Sequence, residues 1–241
     1  MEYGIQLYSL RSIAKESFED AFAAVAKAGY KSIEFAGFFG HSPEEVKELL
    51  AKYDLKISGT HTGLAELTED KLKDTIAYHK AIGNKRLIVP GTGLSIDETV
   101  KALNYAYPYL EEAGIKLGYH NHTKEFIPTS DARMLHAELE HKTKVDFEID
   151  TCWAHLAGMD VISLLTRLKD RITVIHLKDA IPLPAPYRPV GKSLGEGAVP
   201  VKQIHQKAVE LGFDIVVESE DEMPNGPAEI TRCMDFLKEL A

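Results

Sequence analysis

The feature that most constrains the fold is a local pattern that recurs along the whole chain. In each copy, a helical stretch closes in a turn and a short β-rich run follows. The copies in which a glycine marks the turn are Gly29 before residues 32–35, Gly114 before residues 117–120 and Gly212 before residues 215–218. A glycine at this point is typical of a helix C-cap. Strands that alternate with helices in this way indicate parallel β/α units.

Eight short strands are predicted from this pattern and from the apolar runs between the copies. They are residues 4–9, 32–35, 57–60, 86–89, 117–120, 145–150, 172–178 and 215–218. Helical patterns cover residues 43–53, 68–82 and 95–113, and Ser42, Thr68 and Ser95 are expected to cap them. Eight β/α units could close as a barrel or spread as a doubly wound sheet, but no GxGxxG follows the first strand. The fold class predicted is therefore α/β, as a single (β/α)₈ TIM barrel over residues 1–241.

The composition favours a soluble globular protein and disfavours two classes of partner. Apolar residues make up 44% and charged residues 27% of the chain, and no apolar run is long enough for a membrane span. The formal net charge of −9 would repel a phosphate backbone, so nucleic acid is not an expected partner. The start of the chain lacks the pattern of a signal peptide, and Cys152 and Cys233 suit a reducing compartment, so a cytoplasmic location is expected.

A long segment between the seventh strand and the next helix is rich in proline and glycine. It runs over residues 180–199 and carries four prolines before residue 190. We expect it to have no regular structure. Because it leaves the C-terminal face of the barrel, where active sites lie, it is interpreted as a loop that covers a substrate.

Ionisable side chains gather at the C-terminal ends of the predicted strands. They are Glu34, His61, His120, His122, Asp150, His176 and Glu218. A carboxylate or imidazole that ends an apolar strand is costly to bury unless it is paired, hydrogen-bonded or bound to a metal. Several such groups at one barrel mouth indicate a metal site.

Taken singly, three of these residues have ordinary structural explanations. Asp150 could cap the turn that follows its strand, His176 could be a satisfied core histidine, and Glu218 could pair with Lys178. Together they form an oxygen-rich mixed site for one divalent ion, which could be Mn²⁺, Mg²⁺, Co²⁺ or Zn²⁺.

The chain resembles the xylose-isomerase-like barrel superfamily of sugar phosphate isomerases and epimerases over nearly its whole length. The matching stretches are residues 4–11, 29–34, 119–126, 150–153, 176–179 and 195–197. The resemblance implies that Asp150, His176 and Glu218 are metal ligands. It also implies that the loop with Glu196 borders the substrate.

The fifth strand departs from the pattern of that superfamily. Many relatives carry there a glutamate that is both a fourth ligand and an acid or base, whereas this chain has His120. Either His120 ligates the metal directly or Glu125 reaches back from the loop. The Tyr-His-Asn-His run that ends at His122 is also similar to inosose dehydratases, so the roles of His122 and Glu125 are left open.

The function expected from this resemblance is that of a metal-dependent isomerase or epimerase of a sugar or sugar phosphate. Glu218 would remove a proton next to a carbonyl, and Glu125, His122 or His61 would act on the opposite face. Lys178 would stabilise oxyanion charge. Further substrate contacts are expected from Glu34, Trp153, Arg188 and Glu196, with Arg188 and Lys192 available for a phosphate.

Three other functions stay open at this point. A dehydratase acting on a keto-inositol or related keto-sugar would share the same proton abstraction. A DNA-repair endonuclease of the same superfamily is disfavoured by the net charge of −9. A non-catalytic sugar-binding barrel is disfavoured by the intact ligand set. The sequence does not specify the sugar or its phosphorylation, and a homo-oligomer is possible.

Overall fold

The computed structural model describes residues 1–184, 188–219 and 226–240, and within them eight parallel strands form a closed barrel. The barrel strands are β1 (Gly4–Gln6), β2 (Ser32–Phe35), β3 (Lys56–His61), β4 (Arg86–Val89), β5 (Lys116–His120), β6 (Asp146–Asp150), β7 (Ile172–Leu177) and β10 (Asp214–Val217). The sheet closes where β1 pairs with β10 on one side and with β2 on the other. The predicted (β/α)₈ barrel is confirmed.

Helices connect these strands and pack around the barrel. They are α1 (Arg11–Glu16), α2 (Phe18–Ala28), α3 (Pro43–Lys52), α4 (Leu72–Ile82), α5 (Ile96–Glu112), α6 (Leu135–Lys142), α7 (Thr151–Leu156), α8 (Val161–Arg167), α9 (Val201–Leu211) and α10 (Gly226–Leu240). Single 3₁₀ turns lie at Leu7–Leu10, Leu64–Glu66, Thr123–Phe126 and Lys169–Arg171. Over the described ranges, none of the helices has the length and apolar character needed to cross a membrane.

The helix starts predicted at Ser42 and Ser95 are confirmed, whereas the start predicted at Thr68 is wrong. Ser42 and Ser95 each form a capping box with the glutamate three residues on. The Thr68 hydroxyl instead donates to Asp70 Oδ1 at 2.6 Å within a turn. As a result, α4 begins four residues later, at Leu72.

A small apolar cluster fills the bore of the barrel, apart from the main core between strands and helices. It consists of Ile88, Val174 and Val216. A Cβ atom at Gly59 would lie 3.0 Å from Ile88 Cδ1, and one at Gly118 would lie 3.3 Å from Ile88 Cγ1. The two glycines therefore leave the room that Ile88 occupies. Because strand residues alternate in direction, the residues two positions beyond Val174 and Val216, which are His176 and Glu218, face inward nearer the mouth.

The prediction that residues 180–199 lack regular structure is wrong for residues 180–181 and 190–192. β8 (Asp179–Ile181) and β9 (Val190–Lys192) pair as an antiparallel hairpin. Pro182, Pro184 and Pro189 lie between these strands, where no ladder hydrogen bond is lost to them. Residues 185–187 lie outside the described residues.

The second half of this segment is held by the side chain of Asp179. Its Oδ2 accepts from the backbone amides of Gly195 and Gly197, each at 2.9 Å. Its Oδ1 accepts from the amide of Val199 at 3.1 Å. A Cβ atom at Gly197 would lie 2.1 Å from Asp179 Oδ1, so this approach requires glycine. We call this set of contacts the Asp179 clamp.

Candidate metal centre

Four side chains from four strand ends meet at the mouth of the barrel. They are His120, Asp150, His176 and Glu218, all buried, with one possible ligand atom from each lying within 4.8 Å of the others. We call them the mouth group. The structure thus brings together the four residues that the sequence analysis proposed as ligands.

Strand register explains why these residues meet. Asp150 of β6 is paired with His176 of β7, and Val216 of β10 is paired with His176 on the other side. Glu218 follows β10 by one residue, and its backbone amide donates to the carbonyl of Leu177 at 3.2 Å. Asp150 and His176 therefore lie at one level of the sheet, and Glu218 follows two residues farther toward the mouth on the adjacent strand.

Asp150 is fixed by local hydrogen bonds as well as by its strand. Its Oδ1 caps α7 by accepting from the amide of Trp153 at 2.8 Å. Asn121 exchanges two hydrogen bonds of 3.1 Å with the Asp150 backbone. The structural role considered for Asp150, a turn cap, is therefore real, but it uses only one carboxylate oxygen. Asp150 Oδ2 has no hydrogen-bond partner among the described residues.

Lys178 lies between the two carboxylates of the mouth group. Its Nζ is 3.2 Å from Glu218 Oε2 and 3.9 Å from Asp150 Oδ2. Burial opposes the charge on Glu218, but Lys178 and His176 hold its pKa well below the usual range. Burial raises the pKa of Asp150 to about 7, because Lys178 is farther away and Glu218 repels it. The ammonium also lies 4.5 Å from the centre of the Trp153 ring.

A second set of buried polar side chains lies against the mouth group inside the barrel. Glu34 and Glu148 have fully buried side chains, and His61 lies between them with Nε2 at 3.1 Å from Glu34 and 2.7 Å from Glu148. Burial disfavours a charged imidazole, yet the two carboxylates raise the pKa of His61 to about 10. We call Glu34, His61 and Glu148 the inner group. A second possible set of metal ligands overlaps it and consists of His61, His120, Glu148 and His176.

His120 and His176 touch both groups. His120 Nδ1 is 2.9 Å from Glu148 Oε2, and burial lowers the pKa of this imidazole to about 3. The neutral form is the one that can bind a metal. His176 Nε2 is 2.8 Å from Glu34 Oε1, while its Nδ1 faces Glu218 Oε2 at 3.4 Å.

The mouth group fits a divalent cation on two observations. Asp150 Oδ2 is buried without a hydrogen-bond partner in the described ranges, and His176 Nδ1 also makes no hydrogen bond there. When neutral His176 donates its Nε2–H to Glu34, its Nδ1 lone pair faces the Glu218 carboxylate. A cation between these acceptors would replace an unfavourable contact with ligation.

The mouth opens into a cavity of about 770 Å³. Among the residues proposed to contact substrate, His61, Trp153 and Arg188 line it, as do His122, His120 and Glu218. Lys124 and Tyr8 also line this cavity. A cavity of this size accommodates a small polar ligand.

Glu34, Glu125 and Glu196 are predicted site residues that do not line this cavity. Glu34 is fully buried in the inner group, where Gln6 Nε2 donates to it at 2.6 Å. Glu125 is buried and accepts from the Tyr119 hydroxyl at 3.3 Å and from the His122 amide at 2.8 Å, so it belongs to neither possible ligand group. Glu196 is exposed.

The sequence analysis missed Glu148 and Gln6. Glu148 lies two residues before Asp150, so strand alternation puts both on the same side of β6, but chemistry was expected only at the strand end. The signal was available, because a buried strand that carries acids at i and i+2 on its inward side needs partners for both.

Comparisons with known proteins agree with this architecture. A sequence profile described as the xylose isomerase-like TIM barrel matches residues 22–240. An inosose dehydratase of Geobacillus kaustophilus is 24% identical over 85% of this chain and 80% of that protein. One from Mesomycoplasma hyopneumoniae is 28% identical over 68% of this chain and 62% of that protein.

Solved structures share the fold. The crystal structure of a sugar phosphate isomerase/epimerase from Parabacteroides distasonis superposes with a TM-score of 0.83. It is 24% identical and covers 99% of this chain and 98% of its own. Since the family profile spans most of the sequence and the barrel is closed as that family requires, this chain belongs to the xylose isomerase-like TIM barrel family.

Proposed function

We propose that this chain is a divalent-metal-dependent dehydratase that acts on a keto-inositol or a related cyclic polyhydroxy ketone. The observation that carries this is the Lys178–Glu218 contact of 3.2 Å beside the mouth group. It places a carboxylate base and a cationic donor next to a possible Lewis acid. The names of the relatives in Geobacillus and Mesomycoplasma support loss of water over isomerisation.

The cavity walls suit a polyhydroxylated ring. Trp153 offers an aromatic face, and its indole Nε1 makes no hydrogen bond in the described part of the chain. A sugar ring could pack on the face of this indole. The Lys178 ammonium on the same indole would hold the carbonyl end of the substrate near Glu218.

The mouth group would supply the ion through His120, Asp150, His176 and Glu218. A bound divalent ion would act as a Lewis acid toward a carbonyl and its neighbouring hydroxyl. Glu218, held ionised by Lys178, would accept the proton from the carbon next to the carbonyl. Lys178 would stabilise the negative charge that develops on the carbonyl oxygen.

The second half of the reaction removes a hydroxyl from the carbon beyond. The electron pair from the broken C–H bond forms a C=C bond as the C–O bond breaks. The departing hydroxide leaves as water after it takes a proton from Lys178 or from a histidine on the cavity wall. His61 and His122 line that wall and are the candidate acids.

Isomerisation or epimerisation, the function expected from sequence, remains the second candidate. It shares the first proton abstraction, but it returns the proton to carbon instead of expelling water. Epimerisation needs a base on one face of the substrate and a proton donor on the opposite face. Glu218 could be the base, and His61 or His122 in the cavity wall could be the donor, which favours epimerisation as the alternative.

Solvent exchange tests the proposed function. Keto-inositols, ketoses and their phosphates would be incubated with metal-loaded protein in D₂O. Glu218→Gln should slow both deuterium incorporation next to the carbonyl and product formation, by about 100-fold or more. The matched control is Glu210→Gln, since Glu210 is an exposed acid on α9.

The product identifies the reaction class. Loss of one water with formation of an unsaturated ketone supports the dehydratase. Recovery of an epimer or an aldose supports the isomerase instead. Phosphodiester cleavage without exchange on any ketone would contradict both and favour the endonuclease.

A further inference from the structure

The inner group contains two carboxylates that the proposed reaction does not use. The side chains of Glu34 and Glu148 are both fully buried, and neither residue lines the mouth cavity. Glu34 Oε2 and Glu148 Oε1 have no hydrogen-bond partner within the described residues. Buried carboxylates of this kind are costly, and apolar residues of similar volume are often as stable or better. A role in stability therefore does not account for them.

Glu34 contacts one histidine of the mouth group, whereas Glu148 contacts both, since its Oε2 also lies 3.2 Å from His176 Nε2. Glu148 Oε2 lies 2.9 Å from His120 Nδ1, and Glu34 Oε1 lies 2.8 Å from His176 Nε2. An imidazole that donates one N–H to a carboxylate presents the lone pair of its other nitrogen on the far side of the ring. For His120 that nitrogen is Nε2, and for His176 it is Nδ1.

For His176 the far side of the ring is the side of Glu218, and a ligand atom of His120 also lies within reach of the mouth group. His176 Nδ1 faces Glu218 Oε2 at 3.4 Å, and the ligand atoms of His120 and His176 lie within 4.8 Å of those of Asp150 and Glu218. A hydrogen bond from His176 Nε2 to Glu34 thus leaves the Nδ1 lone pair facing Glu218, and a hydrogen bond from His120 Nδ1 to Glu148 leaves its Nε2 free to ligate. Gln6, which donates to Glu34 Oε1 at 2.6 Å, holds the second carboxylate in place.

We propose that Glu148 and Glu34 are positioning residues for a divalent metal, which orient His120 and His176 and raise the basicity of their ligating nitrogens. We build this on the metal site of the proposed function. The same carboxylate–histidine–metal arrangement would occur twice, with Glu34 on β2 and Glu148 on β6 as the carboxylates. Loss of an outer partner of this kind lowers metal affinity by about 10- to 100-fold.

Metal binding by Glu148→Gln and Glu34→Gln tests the proposal without any substrate. Both changes keep the shape of the side chain and remove its charge. Mn²⁺ titration followed by electron paramagnetic resonance should show about 10- to 100-fold weaker binding in each variant. The visible absorption of bound Co²⁺ should shift as well, because the histidine ligands would tilt; a purely structural role would leave that spectrum unchanged.

The chain offers a matched control. Glu140 contacts the imidazole Nδ1 of His136 at 2.9 Å, which is the same kind of pair at the start of the outer helix α6. Glu140→Gln should leave the Mn²⁺ affinity and the Co²⁺ spectrum as in the wild type. Circular dichroism of each variant verifies that the barrel has folded.

Three outcomes would overturn the proposal, and they differ in what else they overturn. Wild-type affinity and spectrum in both variants would reject the positioning role and leave the metal site intact. Two ions per wild-type chain, falling to one in Glu148→Gln, would make Glu148 a ligand of a second ion. A wild-type protein that binds no divalent ion would overturn the metal site itself, and the positioning role with it.

Discussion

His79 is a buried histidine that lies apart from the mouth group, and it is held in the neutral form. It is 2% exposed, and Asn84 Nδ2 lies 2.9 Å from its Nδ1, so the ring accepts a hydrogen bond there. Its Nε2 lies 3.5 Å from the Thr62 hydroxyl. Burial lowers the pKa of His79 from 6.5 to about 4.

This shift links stability to pH with a definite sign. The folded pKa lies below the unfolded one, so the contribution of His79 is complete above pH 6.5 and is lost as the pH falls toward 4. Between these values the free energy of unfolding should fall by up to about 1.4 kcal/mol per pH unit from this residue. Urea unfolding of the wild type and of His79→Gln from pH 7 to pH 4.5 measures it. Equal pH dependence in the two proteins would contradict the assignment.

Single residues also show how far the candidate site could be predicted from sequence. Asp150, His176 and Glu218 could be grouped because each ends a recognisable strand and strand ends share one face of a barrel. The contact between Glu34 and His176 could not be predicted, because it joins residues 142 positions apart and depends on the register at which the barrel closes. The inner group follows from that register and not from any local pattern.

At the level of elements, the Asp179 clamp joins the β8–β9 hairpin to the segment that enters α9. One side chain satisfies the amides of Gly195, Gly197 and Val199. The segment from residue 193 to residue 199 has no strand or helix of its own, so these bonds replace a regular ladder.

A methyl group at residue 197 should break the clamp. Gly197→Ala would place Cβ 2.1 Å from Asp179 Oδ1, and the segment must move to relieve the clash. We expect a loss of about 1–3 kcal/mol in the free energy of unfolding and faster proteolysis after residue 192. Gly93→Ala is the control, since no atom lies within 4 Å of its added Cβ. Similar stability and cleavage rates in the two variants would show that the clamp contributes little.

The elements also differ in how well sequence predicts them. The strands of the barrel were predicted because the same order of a helix, a turn and an apolar run recurs along the chain. The β8–β9 hairpin was missed because its paired strands are three residues each and the prolines between them dominate the composition. Its pairing depends on Asp179 and on the barrel face beneath it, neither of which is a local signal.

At the scale of the whole molecule, the mouth group ties together four strands of one closed sheet. His120, Asp150, His176 and Glu218 come from β5, β6, β7 and the residue after β10. The unfolded chain would not hold these ligands at one point. A bound ion should therefore stabilise the barrel as a unit.

Metal-linked stability gives a test at this scale. At Mn²⁺ concentrations about 100 times Kd, the free energy of unfolding should rise by about 2.7 kcal/mol in the wild type. Asp150→Asn should abolish most of this gain, because asparagine still caps α7 but lacks the ligand charge. Asp160 caps α8 by accepting from the amide of Ser163 at 3.1 Å, so Asp160→Asn is the matched control and should keep the full gain. Equal stabilisation of all three proteins would place the ion elsewhere.

The Asp179 clamp has a consequence for how this barrel could acquire new substrates. Arg188 and Pro189 reach the cavity from the part of the hairpin beyond its paired strands, whereas Lys178 precedes the clamp by one residue. The paired strands and the clamp thus separate this part of the hairpin from the Lys178 ammonium beside the mouth group. Segments grafted between residues 181 and 190 would alter the wall of the cavity while the ion and the proton-transfer groups stay in register, so this hairpin is the natural site for recombination between related barrels.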